Sequence, residues 1–169
     1  MSDDALALFF AHSIELEREA QERYAEFAQS MATHHNAEVA AFFRRMVDEA
    51  AQHLAEVSEL AQGMQLPTLH AWEFDWPDVE SPETANYEAL HYRMSLRDAM
   101  QIALDNERAA ERYYRGCADG SDDARVTRIA GEFADEEASH AAQLEVLLST
   151  AAEPGEFYRE EDDAPVMPE

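Results

Sequence analysis

Along "FADEEASHAAQLE", residues 133 to 145, apolar side chains return at the spacing of a helix, but charge interrupts the stripe. Phe133, Ala141 and Leu144 share one face, and Glu137 and His140 fall on that same face. A carboxylate buried without a partner costs several kcal/mol or more, so it neutralises or acquires one. The pattern therefore predicts a helix and poses a question about its two polar members.

The same periodicity predicts three more helices and an all-α chain. The first runs from about Ser2 to Met31, with Asp3 and Asp4 at its positive end. "THHN" turns the chain and Asn36 caps a second helix that stops near Gly63. Ser95 and Asp98 approximate a capping box for a third helix ending around "ADG", 118 to 120. Ser121 is expected to cap the fourth, which runs until Pro154 and Gly155. Between the second and third helices lies a stretch with three prolines, about 64 to 94, too long for an ordinary connection in a compact domain. An extended segment of that length easily spans a helix of roughly 40 Å. The expected architecture is two helical hairpins joined by a long crossover, with helices two and three parallel. Trp72, Trp76, Tyr87 and Tyr92 then pack along the bundle or in a dimer contact.

Composition narrows the function. At 169 residues the chain reads as one domain, a bundle over 1–152 followed by an acidic tail, 153–169, with the composition of a disordered segment. Its 37 acidic residues against 12 basic ones, a net charge of −25, repel nucleic acid and anionic membranes and attract cations. No apolar run approaches the roughly 18 residues of a membrane span. No secretory signal is evident at "MSDDALALFF", so a cytoplasmic protein is expected. The single cysteine, Cys117, excludes an internal disulfide and a cysteine-based metal cluster.

The chain also repeats itself. "SIELEREAQERYAEFA" aligns with "ALDNERAAERYYRGCA" at an offset of 90, placing Glu17 on Glu107 and Tyr24 on Tyr114. "MVDEAAQHLAEV" aligns with "FADEEASHAAQL" at an offset of 87, placing His53 on His140. Each copied polar residue interrupts an apolar stripe: Glu17 lies among Phe10, Ile14, Ala20, Tyr24 and Phe27, and Glu107 among Met100, Ala103, Leu104, Ala110 and Tyr114. A cation shared by the four helices offsets the charge that makes such burial costly. Carboxylates with imidazole and no thiolate suit iron, manganese or zinc. A Glu from each of two helices with Glu-x-x-His from the other two forms a di-iron or di-manganese carboxylate site, and Glu137-Ala-Ser-His140 is such a motif.

"ELEREAQERYAEFA", "DNERAAERYY" and "DEEASH", each in the expected helix and order, resemble the rubrerythrin branch of the ferritin-like superfamily across nearly all of residues 5 to 150. The resemblance implies a ferritin-like four-helix bundle. It implies Glu17 and Glu107 as terminal ligands of two irons, Glu137 as a bridge, and His53 and His140 as one ligand each. The implied activity is non-haem di-iron oxidoreductase chemistry against oxidative stress: reduction of hydrogen peroxide or dioxygen, or oxidation of Fe(II). A homodimer is expected. With only Cys117 there are no ligands for a rubredoxin iron, so electrons come from a separate donor or from the iron being oxidised. Where the family has Glu three residues before the first His, this chain has Ala50. Glu49 faces broadly the same way and is the candidate replacement, but its repeat partner is Glu136 and not Glu137, so Glu49 reads equally as a solvated neighbour. The alternative is an asymmetric site, or one firmly held metal rather than two, and with it an iron-binding or structural dimer with a degenerate site. Tyr24 and Tyr114 either hydrogen-bond ligand carboxylates or pack as buried tyrosines. His12, His34, His35, His70 and His91 show no comparable pattern and read as surface or loop residues.

Overall fold

Caps set the limits of the helices. The computed structural model describes residues 3–78 and 80–151. Helix α1 runs over Asp3–Thr33, α2 over Ala37–Leu60, α3 over Leu96–Gly120 and α4 over Ala124–Thr150, with no strand among the described residues. Asn36 caps α2 by accepting from the Val39 N–H, and Ser95 and Asp98 cap α3 reciprocally. The cap of α4 is Asp123, which accepts from the Arg125 N–H, and not Ser121. Ser121 closes α3, and its hydroxyl accepts from the Asp123 N–H. A carboxylate suits the positive helix end better than a hydroxyl does. The acidic tail lies outside the described residues.

Hairpin α1–α2 packs on hairpin α3–α4, with α2 against α3 and α1 against α4. Asn36, at the start of α2, donates through Nδ2 to the Tyr92 and Met94 carbonyls at 3.3 and 2.9 Å, just ahead of α3. The starts of α2 and α3 therefore lie side by side. These helices run parallel, and the connection between them must return the length of α2, whose 24 residues span about 36 Å.

The return follows α1 from its beginning to its end. The Asp75 N–H donates to His12 Nε2 at 3.0 Å, and the Thr84 hydroxyl donates to Glu19 at 3.2 Å. Arg23 donates to the Ala85 carbonyl and to Glu80, while Tyr87 packs on Phe27 and donates to Glu26. His12 is thus no surface residue. It is buried, donates through Nδ1 to the Leu8 carbonyl at 2.9 Å, and contacts Phe74 and Trp76. Of the other crossover aromatics, Tyr92 stacks on His34, and Trp72 stays 80% exposed beside His70.

The core is divided. One apolar cluster takes Ala20 to Met31 of α1, Val39 to Ala50 of α2, Ala99 to Leu104 of α3 and Ala141 to Leu148 of α4. A second takes Leu6 to Leu16, Val57, Ala110 to Ala118, and Val126 to Ala134 of the same four helices. Every helix changes cluster at one level, and at that level stand Glu17, His53, Glu107, Glu137 and His140. All of these are buried except His140, which is half-buried.

Candidate metal centre

Two carboxylate–imidazole pairs face each other across this level. In the first hairpin His53 Nδ1 lies 3.6 Å from Glu17 Oε2, and in the second His140 Nδ1 lies 3.8 Å from Glu107 Oε2. The two imidazoles stack nearly parallel, with centroids 4.8 Å apart and planes 9° apart. Glu137 stands between the pairs and divides its oxygens between them. Oε1 is 3.8 Å from His53 Nδ1, and Oε2 is 3.7 Å from His140 Nδ1. These separations are too long for good hydrogen bonds. They suit donor atoms arranged around something else.

Residues 9–148 match the family model for rubrerythrin. The chain belongs to the rubrerythrin family. It is also similar to an uncharacterized conserved protein from Magnetospirillum magnetotacticum MS-1, with 35% identity, covering 88% of this chain and 97% of that one at a TM-score of 0.68. No curated protein matches.

The residues present fit the carboxylate-bound metal that a rubrerythrin-family bundle implies. Buried polar side-chain atoms normally find a partner. Glu17 Oε2, Glu83 Oε2, Glu107 Oε2, Glu137 Oε2 and His140 Nδ1 are buried and have none. All five belong to this one cluster, and one oxygen or nitrogen from each of His53, Glu137 and His140 lies within 4.8 Å of the others. Arginine ion pairs sit elsewhere, such as Arg18 with Glu15 and Glu22, or Arg115 with Asp135.

Electrostatics express the same frustration. Burial pushes the Glu17 carboxyl above its ordinary range, and burial followed by the neighbouring Glu107 takes Glu137 up to about 9. Burial acts the same way on Glu107, but His140 and Glu137 outweigh it and hold that group low. Burial would lower His53, yet Glu17 and Glu137 carry it up to about 9; Glu107 and Glu137 carry His140 to about 10. In this arrangement the protein keeps its carboxylates together by retaining protons that a cation would displace.

The surroundings separate the two hairpins. The Tyr114 hydroxyl points at Glu17 Oε1, at 3.5 Å, the limit of a hydrogen bond. Its repeat partner Tyr24 makes no such contact with Glu107; its hydroxyl accepts from Asn106 Nδ2 at 2.9 Å. Ala50 is buried in the apolar cluster. Glu49 lies exposed at the rim, lining a cleft of about 70 Å³ with His140. Glu136 occupies the matching place on the other side, 3.8 Å from His53 Nε2.

Sequence reasoning missed Asn106 and, more consequentially, Glu83. Glu83 belongs to the crossover, yet it is 3% exposed, and one of its oxygens lies within 4.8 Å of oxygens of both Glu17 and Glu137. The one readable signal was indirect, the vacant carboxylate position at Ala50; nothing in the run Pro82-Glu83-Thr84 marks Glu83 itself as buried.

Proposed function

We propose that this rubrerythrin-family chain is a non-haem di-iron oxidoreductase that reduces peroxide or dioxygen, or oxidises Fe(II). The observation that carries the proposal is the division of Glu137 between two Glu–His pairs. A carboxylate so placed is what two neighbouring cations need and what a single ion does not. Glu17 and His53 would hold one ion, Glu107 and His140 the other, with Glu137 common to both. Two ferrous ions held by these residues would supply the two electrons that peroxide reduction requires.

The chain's own part is to hold, orient and exclude. Tyr114 orients Glu17. The apolar clusters above and below the polar level keep bulk water from the donors. The clefts that touch the site are small, about 10 Å³ beside Glu17 and His53 and about 70 Å³ beside His140. Such openings suit peroxide, dioxygen or a metal ion. Larger cavities of about 500 and 600 Å³ lie against the crossover and include none of the site's carboxylates or imidazoles. Electrons for repeated turnover would come from a donor outside these 169 residues, whose one cysteine, Cys117, cannot hold a rubredoxin iron.

Ala50 favours a second reading, a non-catalytic iron-binding or structural dimer with a degenerate site. Anaerobic titration with Fe(II), followed by a peroxide assay on the loaded protein, separates the two. Two ions per chain and peroxide consumption above that of the same concentration of free iron are expected. One ion or none, with no consumption above free iron, would establish the second reading.

A further inference from the structure

Among the described residues, Glu83 is the one carboxylate at this level that does not come from a helix. Its route is short and well anchored. The Thr84 N–H closes a turn on the Ser81 carbonyl at 3.0 Å, and the Thr84 side chain bonds Glu19. Arg23 binds the Ala85 carbonyl on one side of Glu83 and the Glu80 carboxylate on the other. Ser81 and Ala85 are themselves buried. The crossover is thus held to α1 on both sides of Glu83, beside the level where Glu17 faces His53. The side chain enters the bundle there, and its Oε2 is left without a hydrogen-bond partner.

The strongest influences on this carboxylate are burial and other carboxylates, none of which favours a charge here. Its closest charged neighbours are Glu17 and Glu137, which repel it, and burial opposes its ionisation further. A segment that served only to cover the bundle would be better completed by an apolar side chain. Charge and position supply a reason. The helices contribute three carboxylates, Glu17, Glu107 and Glu137, and two imidazoles. Two divalent cations carry four positive charges, and a fourth carboxylate neutralises them. The second hairpin supplies its Glu-x-x-His carboxylate from α4, whereas the first has Ala50 in that place. Glu83 lies on the first hairpin's side, within reach of Glu17 and of the shared Glu137.

We infer that Glu83 is a metal ligand delivered by the crossover, replacing the carboxylate missing at Ala50 and completing the cation position of Glu17 and His53. The inference rests on the metal-site reading above and extends it: the crossover is part of the site, and loading it with metal fastens the crossover to the bundle.

The test is equilibrium dialysis of the full-length protein with Mn(II), combined with melting curves with and without the metal. E83Q keeps the size of the side chain and an amide that donates as a protonated acid would. If Glu83 were only a buried neutral acid, E83Q would bind as many ions as wild type. As a ligand its loss removes one ion per chain. E83Q should also melt above wild type without metal, because an unpaired buried acid has gone, and below wild type when metal is present. Adding A50E to E83Q should restore the lost ion from a different element. Unchanged stoichiometry in E83Q overturns the inference and leaves the metal-site reading standing. A double variant that does not regain the ion also overturns it, because the loss then reflects damage to the fold. A wild type that binds no metal overturns both.

Discussion

In the second hairpin one helix, α4, carries both members of its Glu-x-x-His motif; in the first, α2 carries His53 and presents Ala50 where the carboxylate would stand. Their common features are close copies. Glu17 is to His53 as Glu107 is to His140, at 3.6 and 3.8 Å. The difference is how each hairpin completes its donor set. Glu137 reaches its position as part of a helix, one turn from His140, so the same packing that builds α4 builds the motif. Glu83 depends on the anchoring of a non-helical segment to α1 through Glu19 and Arg23. With Glu83 as the ligand proposed above, the donor set would keep its composition while exchanging a residue fixed by periodicity for one fixed by tertiary contacts.

The largest expected effect comes from the residue both halves share. Glu137→Ala removes an oxygen from each Glu–His pair and should abolish binding of both ions. Glu17→Ala and Glu107→Ala should each remove one. Ions per chain by elemental analysis after dialysis check this. If Glu137→Ala loses a single ion, Glu137 belongs to one hairpin and is not common to both.

A smaller effect should distinguish the two tyrosines, which are copies in sequence but have different partners. Tyr114→Phe removes the hydroxyl that faces Glu17. Losing such an orienting contact typically weakens a metal site by about tenfold or more, so Tyr114→Phe should shift the Mn(II) affinity by about tenfold. Tyr24→Phe removes the partner of Asn106 Nδ2. It should cost about 1 kcal/mol of stability, as a buried hydrogen bond does, and leave affinity unchanged. Competition titration and chemical denaturation of both variants measure the split. Equal affinity losses would mean that the hairpins behave alike here.

Most of the bundle was legible because periodicity and caps are local. The stripes on all four helices, Asn36 and the Ser95–Asp98 box are readable within a few residues of chain. Glu17, His53, Glu107, Glu137 and His140 stood out as polar residues on apolar faces, and they do converge. The errors fall where local rules stop. Ser121 and Asp123 are both good caps, and the turn geometry together with the carboxylate's better match to the positive helix end selects Asp123. His12 looked solitary because the partner that buries it, Asp75, is distant in sequence. Glu83 lies in a segment with no period, so no face could mark it as buried. Its place depends on parallel α2 and α3, which send the crossover back along α1.

The smallest effect concerns the rim, where the sequence offered Glu49 as the replacement for the absent carboxylate. In the fold Glu49 and its repeat partner Glu136 occupy equivalent places. Glu136, on α4, stands against His53 of the other hairpin at 3.8 Å, and Glu49, on α2, shares a cleft with His140 of the other hairpin. Both stand at the solvent edge, where an ionic contact is screened and worth little. Two residues that play the same part on opposite sides cannot explain a deficit that exists on one side only. Glu83, which has no partner in the repeat, can. Glu49→Ala and Glu136→Ala should therefore behave as a pair: stoichiometry unchanged, and affinity altered by less than the roughly tenfold expected when an inner orienting contact is lost. Mn(II) dialysis of the two variants beside wild type decides the matter. Loss of a whole ion from Glu49→Ala, with Glu136→Ala unaffected, would return the missing ligand to α2 and leave the burial of Glu83 without its explanation.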